Sequence, residues 1–120
     1  MSKRSVEIPK DKLKLYDKLI ESNPAIERKG VTTPFTSLNG NMFTYLDKSG
    51  TMGIRLPKEE RENFLGKYDT TLFEQYGAIM KEYVTVPSSL LEDTNKLKKY
   101  LDISFAYVKS LKPKATKRKS

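Results

Sequence analysis

The sequence of 120 residues predicts an α+β fold of two layers, in which helices pack on an antiparallel five-stranded sheet. Apolar residues recur at helical spacing towards both ends of the chain, whereas the middle holds short extended segments separated by glycine turns. The elements follow in the order α-β-β-β-α-β-β-α. Because strands and helices do not alternate one by one, this order favours an antiparallel sheet with helices on one side.

The first half of the chain predicts one helix and a group of extended segments. Helical spacing of apolar residues covers about residues 10–22, and Pro24 ends this helix because the residue before a proline avoids helical geometry. Asn39-Gly40 indicates a tight turn, and Gly50 indicates a second one. Residues 25–31 are predicted to form a short extended segment. Extended stretches flank the Asn39-Gly40 turn, and the strands over residues 42–46 and 51–56 are expected to pair as a hairpin.

The second half predicts a helix, two strands and a long closing helix. Pro57 suits the first turn of a helix that Gly66 is expected to end. Strands are predicted over residues 72–76 and 79–86, with Gly77 between them. The longest helix covers about residues 93–111, where apolar residues recur every three or four positions.

The composition excludes several kinds of active site. The chain has no cysteine and no histidine, so it cannot form a disulfide, a thiolate zinc site or a serine–histidine catalytic pair. Glu59, Glu60 and Glu62 are the densest carboxylates, but acids are favoured in the first turns of a helix and need no metal to explain them. We therefore expect no catalytic residue, no metal and no cofactor, and we do not expect an enzyme.

The positive charge is concentrated at the C-terminus. Six of the 23 basic residues lie in residues 109–120 without any acid, which leaves 17 basic against 15 acidic residues in the remainder. We predict a single domain over residues 1–111 and a basic, disordered tail over residues 112–120. The tail either only aids solubility or contacts phosphates of a nucleic acid. Its candidate contacts are Lys112, Lys114, Lys117, Arg118 and Lys119.

A candidate interaction surface follows from the alternation of side chains along strands. If the strand faces coincide, one face of the sheet presents Phe43, Tyr45, Arg55, Lys81 and Tyr83. The opposite face would then pack under the helices with Met42, Leu46, Met52, Ile54, Leu56, Met80, Val84 and Val86. The first set suits an ordinary sheet face, a protein or homodimer interface, or a surface for nucleic acid or a small ligand.

Four segments carry a resemblance to a known family: residues 33–43 (TPFTSLNGNMF), 53–56 (GIRL), 76–87 (YGAIMKEYVTVP) and 104–114 (SFAYVKSLKPK). Together they resemble the N-terminal domain of the TfoX/Sxy competence-regulator family, in its stand-alone, single-domain form. The resemblance implies a bacterial regulatory protein with a five-stranded antiparallel sheet and helices packed on it. It brings no catalytic residues with it.

The sequence thus predicts a non-enzymatic binding or regulatory module that acts through protein contacts or self-association. The alternative is a nucleic-acid accessory protein that uses the basic tail, with or without the sheet face. The N-terminus has no apolar signal segment, and no apolar run approaches the length of a membrane helix. We therefore expect a cytoplasmic protein without membrane contact.

Overall fold

A computed structural model describes residues 8–30, 33–75 and 77–111. It confirms the α+β fold, with one open five-stranded antiparallel sheet and helices packed on it. The strands are β1 (Phe35–Leu38), β2 (Asn41–Leu46), β3 (Met52–Arg55), β4 (Leu72–Gln75) and β5 (Ala78–Val86). The helices are α1 (Lys10–Glu21), α2 (Lys58–Lys67), α3 (Ser88–Leu91) and α4 (Thr94–Ser110).

The order of strands across the sheet is β1-β2-β3-β5-β4, and every neighbouring pair is antiparallel. The β1–β2 turn is formed by Asn39 and Gly40, whose φ angles of 54° and 81° are both positive, as a two-residue hairpin turn requires. After β3 the chain passes through α2 and β4 before β5 returns to pair with β3. Strand β5 therefore lies between β3 and the edge strand β4.

Most of the predicted core is confirmed on the helix side of the sheet. Six of the eight residues that were expected under the helices are buried, with exposed fractions of at most 4%: Leu46, Met52, Ile54, Leu56, Val84 and Val86. The prediction is wrong for Met42 and Met80, which line a groove on the other side of the sheet.

Helix α4 has both a capped start and a continuous apolar stripe. The Asp93 side chain accepts a hydrogen bond from the backbone N–H of Lys96 at 3.1 Å, which satisfies one of the unpaired donors of the first turn. Leu97, Leu101 and Val108 lie on the buried side of the helix. Within this stripe the Ser104 hydroxyl donates to the carbonyl of Arg55 and so ties the helix to β3.

Helix α2 differs from the prediction at its C-terminal end. Gly66 was expected to end the helix, but the helix includes it and continues to Lys67. The left-handed residue that follows is Asp69, with φ of 49°. An aspartate can take this conformation because its short polar side chain makes local hydrogen bonds.

A chain of buried hydroxyl groups joins α1 to the sheet. The hydroxyls of Tyr16 and Thr44 lie 2.7 Å apart, as do those of Thr44 and Thr36. Burial, first of all, raises the pKa of Tyr16 far above its ordinary value. The phenol therefore stays protonated and hydrogen-bonded inside the core.

In the part of the chain that the structure describes, no helix has the length and apolar character needed to span a bilayer.

Candidate functional site

A β-bulge in β2 decides which of its side chains face the helices. Thr36 pairs with Thr44, but the next residue of β1 pairs with Met42, so Phe43 is an extra residue without a partner in β1. A bulge of this kind interrupts the regular alternation of side chains. Phe43 and Thr44 consequently both lie on the helix side, whereas Met42 and Tyr45 lie on the other, open face of the sheet.

The prediction that Phe43 shares the open face with Tyr45 is therefore wrong. The Phe43 side chain is fully buried, and its ring lies 5.8 Å from that of Phe105 in α4. The sequence shows the alternation of a strand but not the position at which one residue is inserted, because a bulge depends on pairing with the neighbouring strand.

A second irregularity bends the β4–β5 hairpin over the open face. Leu72 pairs with Val84, yet the next residue, Phe73, pairs with Met80, so residues 81–83 of β5 have no counterpart in β4. Pairing of residues 83–86 of β5 with β3 remains regular. The tip of the hairpin is thus free to leave the plane of the sheet.

Contacts across the open face show where the hairpin lies. The Phe73 ring packs on Gly53 of β3 and meets the Tyr45 ring edge-on, with 6.0 Å between ring centroids. The Gln75 side-chain amide donates to the Asp47 carboxylate at 3.3 Å, although Asp47 follows β2 on the far side of β3. Phe73 is only 1% exposed as a result.

A small groove remains between the hairpin and β2. It has a volume of about 260 Å³ and is lined by Met42, Tyr45, Gln75 and Met80. Beside Met80 in β5, Ile79 is 59% exposed, and it is the one large apolar side chain so exposed among the described residues. We call the four lining residues the hairpin groove. Apart from Tyr45, they were missed by the sequence analysis, because both methionines follow the alternation of core residues.

Arg55 is held in an ion pair at one end of the sheet. Its Nε and Nη2 atoms lie 2.7 Å and 2.6 Å from Oε1 of Glu82, and the Tyr107 hydroxyl donates to the other Glu82 oxygen at 3.1 Å. The guanidinium also lies 5.7 Å from the centroid of the Tyr107 ring. Arg55 thus joins β3, β5 and α4, and its donors are used within the protein.

The electrostatics of this cluster favour a charged Glu82. Burial raises the pKa of Glu82, but the hydrogen bond and positive charge of Arg55 together outweigh burial and lower the pKa below its ordinary value. Burial and then the Glu82 carboxylate raise the pKa of Tyr107. Glu82 is therefore an anion and Tyr107 a neutral donor at neutral pH.

Tyr83 and Lys81 differ in their accessibility. Tyr83 is 9% exposed, and its hydroxyl donates to the carbonyl of Met42 at 2.6 Å. Burial, as the largest cause, raises the pKa of Tyr83 to about 12. Lys81 is exposed. The predicted surface is thus divided, because Phe43 lies in the core, Arg55 and Tyr83 make internal contacts, and only Tyr45 lines the groove.

The remaining candidate residues are the basic residues of the tail. Lys112, Lys114, Lys117, Arg118 and Lys119 lie outside the described residues. Across residues 8–30, 33–75 and 77–111, no three carboxylates come together as a cation site would require.

Comparisons with protein-family models, with curated proteins and with solved structures find no match to the chain. Any proposal about function must therefore rest on the chain's own residues and their geometry.

Proposed function

We propose that this protein is a non-enzymatic binding module that acts through protein contacts at the hairpin groove. The observation that carries this proposal is an apolar groove on the open face of the sheet, with the exposed Ile79 beside it. Two methionines, a tyrosine and a glutamine line the groove, and no carboxylate or lysine is among them. Such a lining suits the burial of apolar side chains.

The size and flexibility of the groove favour a protein over a small ligand. At about 260 Å³ it lies below the usual range of small-molecule pockets, roughly 300–1,000 Å³. Methionine side chains are flexible and polarisable, so they adapt to the shape of an inserted side chain. Methionine and tyrosine are also enriched in protein interfaces.

A second copy of the chain is the occupant that its own residues favour. In a symmetric dimer each copy contributes the same patch, so each would supply both a groove and an Ile79 side chain to fill the other. Residues 1–108 hold 17 basic and 15 acidic residues, so the charge of this part of the chain is nearly balanced and repulsion between these parts of two copies is weak. We therefore expect self-association through this face.

Sedimentation velocity over a range of concentrations tests this proposal. We expect the wild-type chain to form dimers at high concentration and Ile79→Ser to weaken dimer formation about tenfold or more, since roughly 1.5–3 kcal/mol accompanies burial of such a side chain. Ala106→Ser is the matched control, because Ala106 is exposed on α4, away from the groove. A chain that stays monomeric at millimolar concentration would refute self-association.

We also propose that the chain is a relative of the TfoX/Sxy N-terminal domain. The four segments quoted above support this kinship, and the order of elements agrees with it. The test is whether a solved member of that family has the same strand order and a bulge at the position of Phe43. A different strand order would refute the kinship.

A second candidate function is nucleic-acid binding by the basic tail. The observation in its favour is the charge distribution, since residues 109–120 hold six basic residues and no acid. Contacts between lysine and phosphate release counterions, so such binding should fall steeply with salt. A titration of labelled DNA at low salt that shows no binding would exclude this function.

A further inference from the structure

The helix layer contains a cavity that is separate from the hairpin groove. It lies where the end of α2 meets the first two turns of α4, and it has a volume of about 380 Å³. We call it the lysine–tyrosine pocket, and its lining residues are Lys67, Tyr68, Asn95, Lys96, Lys99 and Tyr100.

Aromatic packing makes the floor of this pocket rigid. The Phe64 ring is buried and lies 4.7 Å from the Tyr68 ring and 4.9 Å from the Tyr100 ring. Tyr68 and Tyr100 also meet edge-on, with 5.9 Å between their centroids. Three rings in mutual contact fix the positions of the two hydroxyl groups, because each ring restricts the rotation of the others.

Helical spacing brings the positive charges to one side. Lys96, Lys99 and Tyr100 stand three and four residues apart on α4, so they share one face of the helix. Lys67 approaches from α2, with its ammonium 5.5 Å from the centroid of the Tyr68 ring. The first turn of α4 adds the positive end of a 17-residue helix.

Little of this charge is neutralised within the protein. Among the described residues neither Lys67 nor Lys99 forms a salt bridge, and Lys96 has only a long contact of 3.9 Å with Asp93. Three lysines therefore line the cavity, and the carboxylate that contacts one of them, the half-buried Asp93, is not part of the lining.

The tyrosine pair offers a hydrogen-bond donor to a ligand. Burial first, and then a hydrogen bond with Tyr68, raises the pKa of Tyr100 to about 12. The Tyr100 hydroxyl is therefore protonated at neutral pH. A phenol O–H is a donor as well as an acceptor, so two phenols joined by one hydrogen bond keep one further O–H for a ligand oxygen.

We infer that the lysine–tyrosine pocket binds the phosphate groups of a small phosphorylated molecule. Several cationic donors and a hydroxyl around one cavity match the charge and the acceptor oxygens of a phosphate group. A volume of about 380 Å³ is in the range of small-molecule pockets.

The surrounding acids favour a compact ligand over a nucleic acid. Glu92 and Asp93 directly precede α4, and the charge of Glu60 reaches Tyr100 from α2. A polyanion that extended beyond the pocket would meet these carboxylates. A di- or triphosphate group can instead be contained between the three lysines.

Titration of the full-length chain with inorganic pyrophosphate, followed by amide chemical shifts, tests this inference. We expect saturable shifts at residues 67–68 and 95–100. In Lys67→Gln/Lys99→Gln the dissociation constant should rise about tenfold or more. The matched control is Lys14→Gln/Lys48→Gln, which removes the same charge at exposed positions elsewhere and should change the constant less than about twofold.

Three results would overturn the inference. One is an absence of saturation, and another is an equal loss of affinity in the control variant, which would indicate attraction by net charge alone. The third is a single-stranded oligonucleotide that competes for the same amides and binds more tightly than pyrophosphate, with a steep dependence on salt. That outcome would assign the pocket to a nucleic acid.

Discussion

The substitution Gly53→Ala tests whether the β4–β5 hairpin depends on close contact between Phe73 and β3. A Cβ atom at residue 53 would lie 2.6 Å from Cγ of Phe73 and 2.7 Å and 3.0 Å from the two Cδ atoms. Ordinary carbon contacts are about 3.5–4.0 Å, so the ring would have to move by about 1 Å. Phe73 is 1% exposed and also packs on Tyr45, so this movement disturbs the whole hairpin contact.

In Gly53→Ala the clash with Phe73 lowers the free energy of unfolding, whereas the backbone preference for alanine in a strand raises it. Alanine in a strand is favoured over glycine by roughly 0.5–1 kcal/mol, and Gly53 does not have the positive φ that would oppose alanine. Overpacking of a buried site costs about 1–3 kcal/mol. We therefore expect Gly53→Ala to lower the free energy of unfolding by about 1–2 kcal/mol, as measured by urea denaturation with circular dichroism.

Two companion variants separate the clash from other effects. Gly66→Ala is the matched control, because its Cβ atom would have no neighbour within 4 Å on the exposed side of α2, and it should stabilise the protein by about 1 kcal/mol. Phe73→Leu gives the ring position more room, so Gly53→Ala should cost less in that background. If Gly53→Ala is as stable as the wild type or more stable, the proposed position of the hairpin is wrong.

Three further predictions concern the core, the ion pair and the tail. Phe43→Ala should lower the free energy of unfolding by about 3–5 kcal/mol in the same urea assay, as expected for a buried ring and not for an exposed one. The folded-state pKa of Glu82 is lowered, so its contribution to stability is present above the unfolded-state pKa and is lost as the pH falls through the folded-state value. Glu82→Gln should accordingly flatten the acid side of a stability–pH profile, and an unchanged profile would contradict this role. The triple variant Lys117→Gln/Arg118→Gln/Lys119→Gln should weaken low-salt DNA binding and reduce its salt slope by about three if the tail makes those contacts, whereas equal slopes in an anisotropy titration would exclude them.

Local signals in the sequence were sufficient for the elements and for most of the core. Each of these signals involves only a few neighbouring residues and can therefore be recognised in the sequence. They are the Asn39-Gly40 turn, the proline before α2 and the apolar stripe of α4. The C-terminal end of α2 could not be predicted from the sequence, because a glycine in the last turn can also remain part of the helix.

The candidate site was predicted only in part, because its position depends on contacts between distant residues. Tyr45 was identified as part of an open face, but Phe43 was placed there too. Met42 was placed in the core, since an unbroken alternation of side chains requires it. One inserted residue reverses both assignments, and the insertion is visible only from the pairing of β2 with β1.

Composition and local patterns are enough to establish the α+β class, the order of elements, the absence of histidine and cysteine chemistry, and the concentration of positive charge near the C-terminus. Contacts between distant residues, in contrast, set which side chains are available for binding. The hairpin lies over Gly53, Arg55 and Tyr83 make internal contacts, and Lys67 lies beside Lys96 and Lys99. Composition and periodicity are local properties, whereas accessibility depends on strand register and helix packing between residues that are far apart in the chain.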